Sequence, residues 1–293
     1  MKTRWVAVVL CLTYAGQVWS APPRIGGINP PVVQRGVEGK LQFYGKALKS
    51  GTELVLPFKA DVRLEGGGEE AFNVIVKPSP DTLPGAYPVR VRTTEGISNI
   101  RLLVVADVPV IRVVEPNGRY KNGALDLVLT QPVQWPCIIA GDRLAREIDA
   151  FRFEVKAGDR LTFVTETWRV GLTPEPLLRL RDRRGRMLAY AHDTPTLQRD
   201  ERLDFTYDTA GENYLEIQST GEGGGWNNHY LVQVGPSDYA RHIFPLGGRR
   251  GDKVGFQIVN RDGQTRTLEA TIPSDPWNDS WRLPLPDHPG SLP

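Results

Sequence analysis

The chain has 293 residues, with 36 Lys and Arg, 34 Asp and Glu, four His, seven Trp and two Cys. Without its first twenty residues it keeps 34 basic side chains against 34 acidic ones over 273 positions, so it carries no electrostatic footprint for nucleic acid or anionic membrane. That length suffices for two cores and part of a third, and Cys137 alone beyond the leader excludes an intrachain disulfide.

Residues 1–20 read as a secretory signal peptide. Lys2 and Arg4 give a basic start, Val6 to Ala15 an apolar run, and Val18-Trp19-Ser20 a small-residue cleavage pattern. Leu10 stands before Cys11 where a lipoprotein signal needs a small residue. No later stretch reaches the about eighteen apolar residues of a membrane span. The expectation is an exported protein, periplasmic, cell-surface or extracellular, that does not span a membrane.

From Arg24 to Asp107 short strands alternate with Gly and Pro punctuation: Leu41–Tyr44, Thr52–Leu56, Val62–Glu65, Ala71–Lys77, Tyr87–Thr93 and Ile100–Val105. Six or seven such strands in this span predict an immunoglobulin-like sandwich over 21–107. Val108–Gly123 reads as a linker. A second all-β unit follows, with strands at Val133–Ile139, Ile148–Val155, Arg160–Glu166, Leu177–Arg181, Met187–Ala191, Leu203–Tyr207, Tyr214–Gln218 and Tyr230–Val234. Its best-patterned element is Ile148–Gly158, where Phe151, Phe153 and Val155 alternate with Arg152, Glu154 and Lys156. Eight short strands predict a sandwich or jelly roll over 108–235.

The segment after Pro236 repeats the start of the first unit, displaced by 215 positions. Ile28, Pro30, Arg35, Gly36, Leu41, Gln42 and Phe43 correspond to Ile243, Pro245, Arg250, Gly251, Phe256, Gln257 and Ile258. The second copy is short, which predicts a partial β domain over 236–272 and a flexible tail over 273–293. The predicted fold class is therefore all-β, as tandem β-sandwiches. An unfinished sandwich has open strand edges, so self-association through it is a further expectation.

Glu115-Pro116-Asn117, then Ile148-Asp149-x-Phe151-x-Phe153 with Ala157-Gly158, then Leu178-x-Leu180-x-Asp182-x-x-Gly185 form an ordered series. Leu203-x-Phe205, Ala210-Gly211-x-x-Tyr214 and Gly223-Gly224-Gly225 before Tyr230-x-Val232 extend it. The series resembles the bacterial pre-peptidase C-terminal (PPC) domain over about Val113 to Gly235. The flanking unit, with Ile28-x-Pro30, Gly85-x-Tyr87-Pro88-Val89-x-Val91 and Gly96-Ile97-Ser98-Asn99, resembles the IPT/TIG group. The PPC resemblance implies a jelly-roll accessory module of exported hydrolases, of which some relatives bind structural protein and some bind calcium. The family often carries acids after Glu-Pro-Asn and an Asn-Asp-Asp run after the fifth strand. Here Gly118-Arg119-Tyr120-Lys121 and Ala191-His192-Asp193 stand instead. That leaves Glu115, Asn117, Asp149 and Asp193 as candidate calcium ligands, a short set for a cation wanting six to eight oxygens.

No motif carries a reaction: there is no G-x-S-x-G, H-E-x-x-H, G-x-x-x-x-G-K or Cys-x-x-Cys. The four histidines, His192, His229, His242 and His288, are scattered. Cys137 reads as a buried, inert thiol. Asp200, Glu201 and Asp204 read as surface charge rather than an acid–base pair, and Arg179–Arg186 as solvated charge at a hairpin tip. Trp226, Asn227 and His229, after a triple glycine, are the candidate ligand-binding loop, although a hairpin needing glycine torsions explains the same residues. The function this predicts is a non-catalytic exported binding or adhesion protein engaging a protein or cell-envelope polymer. The alternatives are an accessory segment of a secreted peptidase system and a hydrolase whose site carries no known motif.

Overall fold

The computed structural model describes residues 22–48, 53–118, 120–121, 124–126, 129–142, 148–195, 197–221, 227–236, 240–260, 262–274, 281 and 283. The leader, Trp226 and most of the tail lie outside them. The described residues are all-β, with only 3-10 turns such as Trp168–Val170 besides strands. Their sheets build tandem β-sandwiches, as the strand pattern predicts.

The N-terminal sandwich contains β1 Arg24–Asn29, β2 Val32–Gln34, β3 Gly39–Lys46, β4 Glu53–Val55, β5 Ala60–Gly67, β6 Ala71–Pro78, β7 Gly85–Thr93, β8 Gly96–Ile97 and β9 Arg101–Ala106. One sheet runs β1-β3-β6-β5 and the other β2-β9-β7-β4, with β8 on β7. Side chains alternate across a pleated strand, so β3 sends Leu41 and Phe43 inward while β6 sends Phe72, Val74 and Val76 to meet them. Phe43 and Phe72 are cross-strand partners, with stacked rings 4.9 Å apart. Tyr87, Val89 and Val91 of β7 close the core from the facing sheet.

The central sandwich contains β10 Val110–Arg112, β11 Tyr120–Lys121, β12 Ala124–Leu125, β13 Gln131–Pro132, β14 Cys137–Asp142, β15 Ile148–Val155, β16 Arg160–Thr165, β17 Pro176–Asp182, β18 Met187–Ala191, β19 Arg202–Thr206, β20 Gly211–Ser219 and β21 His229–Pro236. Its sheets are β10-β14-β21-β16-β19 and β13-β15-β20-β17-β18, with β11 and β12 a separate pair. Phe151, Phe153 and Val155 of β15 enter the core beside Phe163, Leu180, Leu215 and Tyr230. The strand predicted at Val133–Ile139 starts only at Cys137; residues 133–136 form no strand and carry the chain from β13 in one sheet to β14 in the other. Pro136 cannot donate to a ladder, and the chain changes sheet there.

β9 explains why Ile100–Val105 reads as almost continuously apolar. Leu103 and Val105 face the N-terminal core, while Val104 and Ala106 pack against Ile138, Ala140 and Leu231 of the central sandwich. A strand buried on both faces loses the polar half of its alternation. The two sandwiches therefore meet through an apolar interface, joined by Val170 and Leu172 from the turn after β16.

The C-terminal unit is one three-stranded sheet, β22 Ala240–Phe244, β23 Lys253–Asn260 and β24 Thr265–Thr271, in that order. The repeat seen in the sequence extends to its geometry. Ile28 pairs with Phe43 and, 215 positions on, Ile243 pairs with Ile258. The register shift at Ile25/Gly27 recurs at Ala240/His242. Gly36 and Gly251 both take positive φ, 73° and 83°, a conformation that favours glycine. The β22-β23 pair thus repeats the β1-β3 pairing.

Candidate functional site

Three of the four candidate calcium ligands lie together. Glu115 Oε2 accepts the Asn117 N–H at 2.8 Å, Asn117 Oδ1 accepts the Ala150 N–H at 3.3 Å, and Asp149 accepts the Tyr230 hydroxyl. Burial pushes the Tyr230 hydroxyl well above its ordinary pKa, and the Asp149 carboxylate adds to the effect. Gly118 follows with φ 68°, where a Cβ would come within 2.0 Å of Ile148 O. The arrangement clasps the start of β15 onto the preceding turn. Asp193 is elsewhere. Ala191 pairs with Leu178, Leu178 with Ile217 and Ile217 with Asp149, which separates the rows by three strand spacings, about 14 Å. The Asp193 side chain is exposed, beside His192. The four residues do not converge. Two carboxylates and one amide, with oxygens already accepting protein hydrogen bonds, fall short of a calcium shell. Among the described residues, no three of His, Cys, Asp and Glu gather to hold a metal ion.

The candidate ligand-binding loop divides differently. Trp226 lies outside the described residues. Asn227 turns its backbone carbonyl to Thr173 N at 3.0 Å and Thr173 Oγ1 at 3.2 Å. His229 is buried rather than at a loop tip. Its Nδ1 lies 2.8 Å from Asp142 Oδ1, Asn29 Nδ2 donates to Asp142 Oδ2 at 2.8 Å, and Arg112 donates to Asn29 Oδ1 at 3.1 Å. The imidazole stacks on Tyr44 at 6.5 Å. His229 therefore belongs to the seam between the sandwiches, a role no local motif announces.

Two readings of surface charge need correction. Asp200 and Glu201 are fully buried. Asp200 accepts hydrogen bonds from Thr165 Oγ1, the N–H groups of Thr167, Trp168 and Arg169, and Arg169 Nε, at 2.6–3.1 Å. Glu201 accepts from Asp193 N, Thr194 N and Thr194 Oγ1. A carboxylate can be buried when donors surround it this way. In the Arg179–Arg186 run, Asp182 does cap a solvated hairpin through Arg184 and Arg186. Arg181, however, reaches inward to the buried Glu216 at 2.5 Å. Cys137 is buried in the central core, which pushes its thiol pKa up to about 12.

A concave feature lies where the three β units meet. It measures about 1170 Å³, and its walls include Leu83 and Tyr87 of the N-terminal sandwich, Val164 and Arg169 of the central one, and Ile243 and Phe256 of the C-terminal sheet. Its lining contains no Ser, Cys, His or Asp, and its charged groups are Glu166 and four arginines. Apolar side chains make up much of its wall.

No known family's sequence profile matches the chain, and no curated protein does. Solved structures with distant similarity include the pre-peptidase C-terminal domain of a collagenase from Bacillus anthracis, at 16% identity and TM-score 0.29 over 36% of this chain and 93% of that one. Another is the secreted serine protease VesC from Vibrio cholerae, at 9% identity and TM-score 0.25 over 70% of this chain and 48% of that one. A third is the adhesin InvE from Yersinia pseudotuberculosis, at 10% identity and TM-score 0.22 over 84% and 58%. These are distant likenesses among β-sandwich proteins, and the functional reading rests on the chain's own residues.

Proposed function

We propose that the chain is an exported, non-catalytic binding or accessory protein that engages a protein or cell-envelope polymer. In this reading, 1–20 is the signal peptide, 21–107 an IPT/TIG-like domain, 108–235 a PPC-like domain, 236–272 a partial repeat of the first and 273–293 a tail. The observation that carries the proposal is the cavity at the junction of the three β units, walled by an apolar sheet face and lacking any nucleophile or paired acid and base. An enzyme needs such groups within hydrogen-bond reach of one another. The buried polar residues elsewhere hold turns and strands, as Asp200 and Glu216 do.

The test uses the whole chain without its leader. Co-sedimentation with insoluble collagen, peptidoglycan and cellulose should show saturable retention on at least one of them. Incubation with gelatin, casein and peptidoglycan should release no soluble product. Turnover that disappears on Glu166→Gln would overturn the proposal, as would failure of every polymer and of every purified envelope protein to be retained.

A further inference from the structure

Strand β5 ends its sheet, which runs β1-β3-β6-β5 among the described residues. Its pairing with β6 fixes what the open side presents. Ser79 N donates to Lys59 O at 2.8 Å, and an antiparallel ladder alternates pairs that exchange hydrogen bonds with pairs that do not. Counting on from Lys59, Asp61 opposite Lys77 and Arg63 opposite Ile75 turn their backbone groups toward β6. Ala60, Val62 and Leu64 turn theirs to the open side. Pro78 stands opposite Ala60, where this phase asks for no N–H and proline has none to give.

The apolar side chains of this edge also lack cover. Val62 and Leu64 share a face with their ladder partners Val76 and Val74, which are fully buried in the core. Val62 and Leu64 themselves are 41% and 40% exposed. Edge strands are ordinarily blunted by proline, by an inward-pointing charge or by a bulge. Ala60–Leu64 has none of these, since the bulge follows Leu64 and the charges of Asp61 and Arg63 lie on the outer face with Lys77 and Ile75.

Charge names the partner. Lys59, Asp61, Arg63 and Glu65 are exposed and alternate in sign, with Glu65 held on the outer face by Lys40 at 2.7 Å. Laid antiparallel on a second copy so that Val62 faces Val62, this pattern meets its own complement. Asp61 then faces Arg63 and Lys59 faces Glu65, each from both sides. Centring on Arg63 instead sets Arg63 against itself and Asp61 against Glu65. Centring on Asp61 sets Asp61 against itself and Lys59 against Arg63. Centring on Ala60 or Leu64 leaves fewer opposite pairs, and parallel strands in register would oppose every charge with its like. The Val62 register also matches outward backbone groups, Val62 with Val62 and Ala60 with Leu64, for about six ladder hydrogen bonds.

We propose that two copies of the chain pair β5 with β5, antiparallel and centred on Val62, joining two four-stranded sheets into one of eight across a twofold axis. Self-association then lies at the N-terminal sandwich rather than at the unfinished C-terminal unit. It goes beyond the proposed function, because it gives each assembly two copies of whatever surface holds the ligand.

The test uses the whole leaderless chain. Sedimentation velocity over a concentration series should show a monomer–dimer equilibrium. Asp61→Arg and Arg63→Asp should each weaken the dimer by roughly tenfold or more, because two cross-strand attractions become repulsions. An equimolar mixture of the two variants should recover a dimer, since each Arg then meets an Asp, and the double variant should dimerise like the native chain. In the native dimer the amides of Ala60, Val62 and Leu64 should exchange slowly and quicken on dilution, while those of Asp61 and Arg63 stay protected by β6. A native chain that remains monomeric at its highest soluble concentration would overturn the proposal. So would a dimer that survives both single variants, a mixture that stays monomeric, or protection at Ala60, Val62 and Leu64 that ignores concentration. Retention on a polymer, or its failure, bears on the proposed function alone.

Discussion

Asp142, the last residue of β14, ties two sandwiches together through His229 and Asn29. Burial works against its ionisation, but the hydrogen bonds and charge of His229, with Asn29 and Arg112, outweigh it and hold the carboxyl below its usual range. A depressed carboxylate contributes stability that is complete above its unfolded pKa, about 3.9, and is lost as pH falls through the lower folded value. The stability gap between the native chain and Asp142→Asn should be full above about pH 5 and close below about pH 4, as read from urea midpoints across a pH series. Asp200 is a stronger test of burial. Asp200→Ala leaves three backbone N–H groups and the Arg169 guanidinium without their acceptor. Leaving a buried backbone donor without its acceptor costs about 1–3 kcal/mol, which urea unfolding followed by Trp fluorescence should register.

At the scale of elements, the turn from Glu115 to Gly118 clasps β15. Gly118→Ala should destabilise the chain by more than the about 1–2 kcal/mol of a left-handed residue alone, because the added Cβ would press on Ile148 O; thermal unfolding measures it. Most strands were legible because one face of each is apolar: β3, β6, β7 and β15 show the period-2 pattern in plain sequence. The strand expected from Val133 starts only at Cys137; Val133 is buried like a strand residue although it lies in the link before Pro136. Asp200 and Glu201 were misread because a carboxylate is exposed by default, and only the folded turn at 165–171 and the loop at 193–194 bring the donors that bury them. His229 was placed at a loop tip for a related reason. Its partner Asp142 is 87 positions away and Asn29, which bonds Asp142, is 200 away, and no short motif encodes such a meeting.

At the scale of the whole molecule, the seam between the sandwiches sets how rigidly they stand. Leu231 lies in that seam, on the opposite face of β21 from Tyr230 and Val232 in the core. Leu231→Asp places a charge in an apolar contact without touching either core, so it should uncouple the sandwiches rather than unfold them. Small-angle scattering should then show a larger radius of gyration with β-sheet circular dichroism unchanged.

The double burial of β9 bears on how this protein can be divided. A cut at the proposed boundary after Asp107 would strip one side of β9 and leave Val32, Val104 and Ala106 facing water as a sticky patch. The same cut would bare Ile138, Ala140 and Leu231 on the other piece. Neither half should then behave as a clean soluble module, and each should be rescued by adding the other.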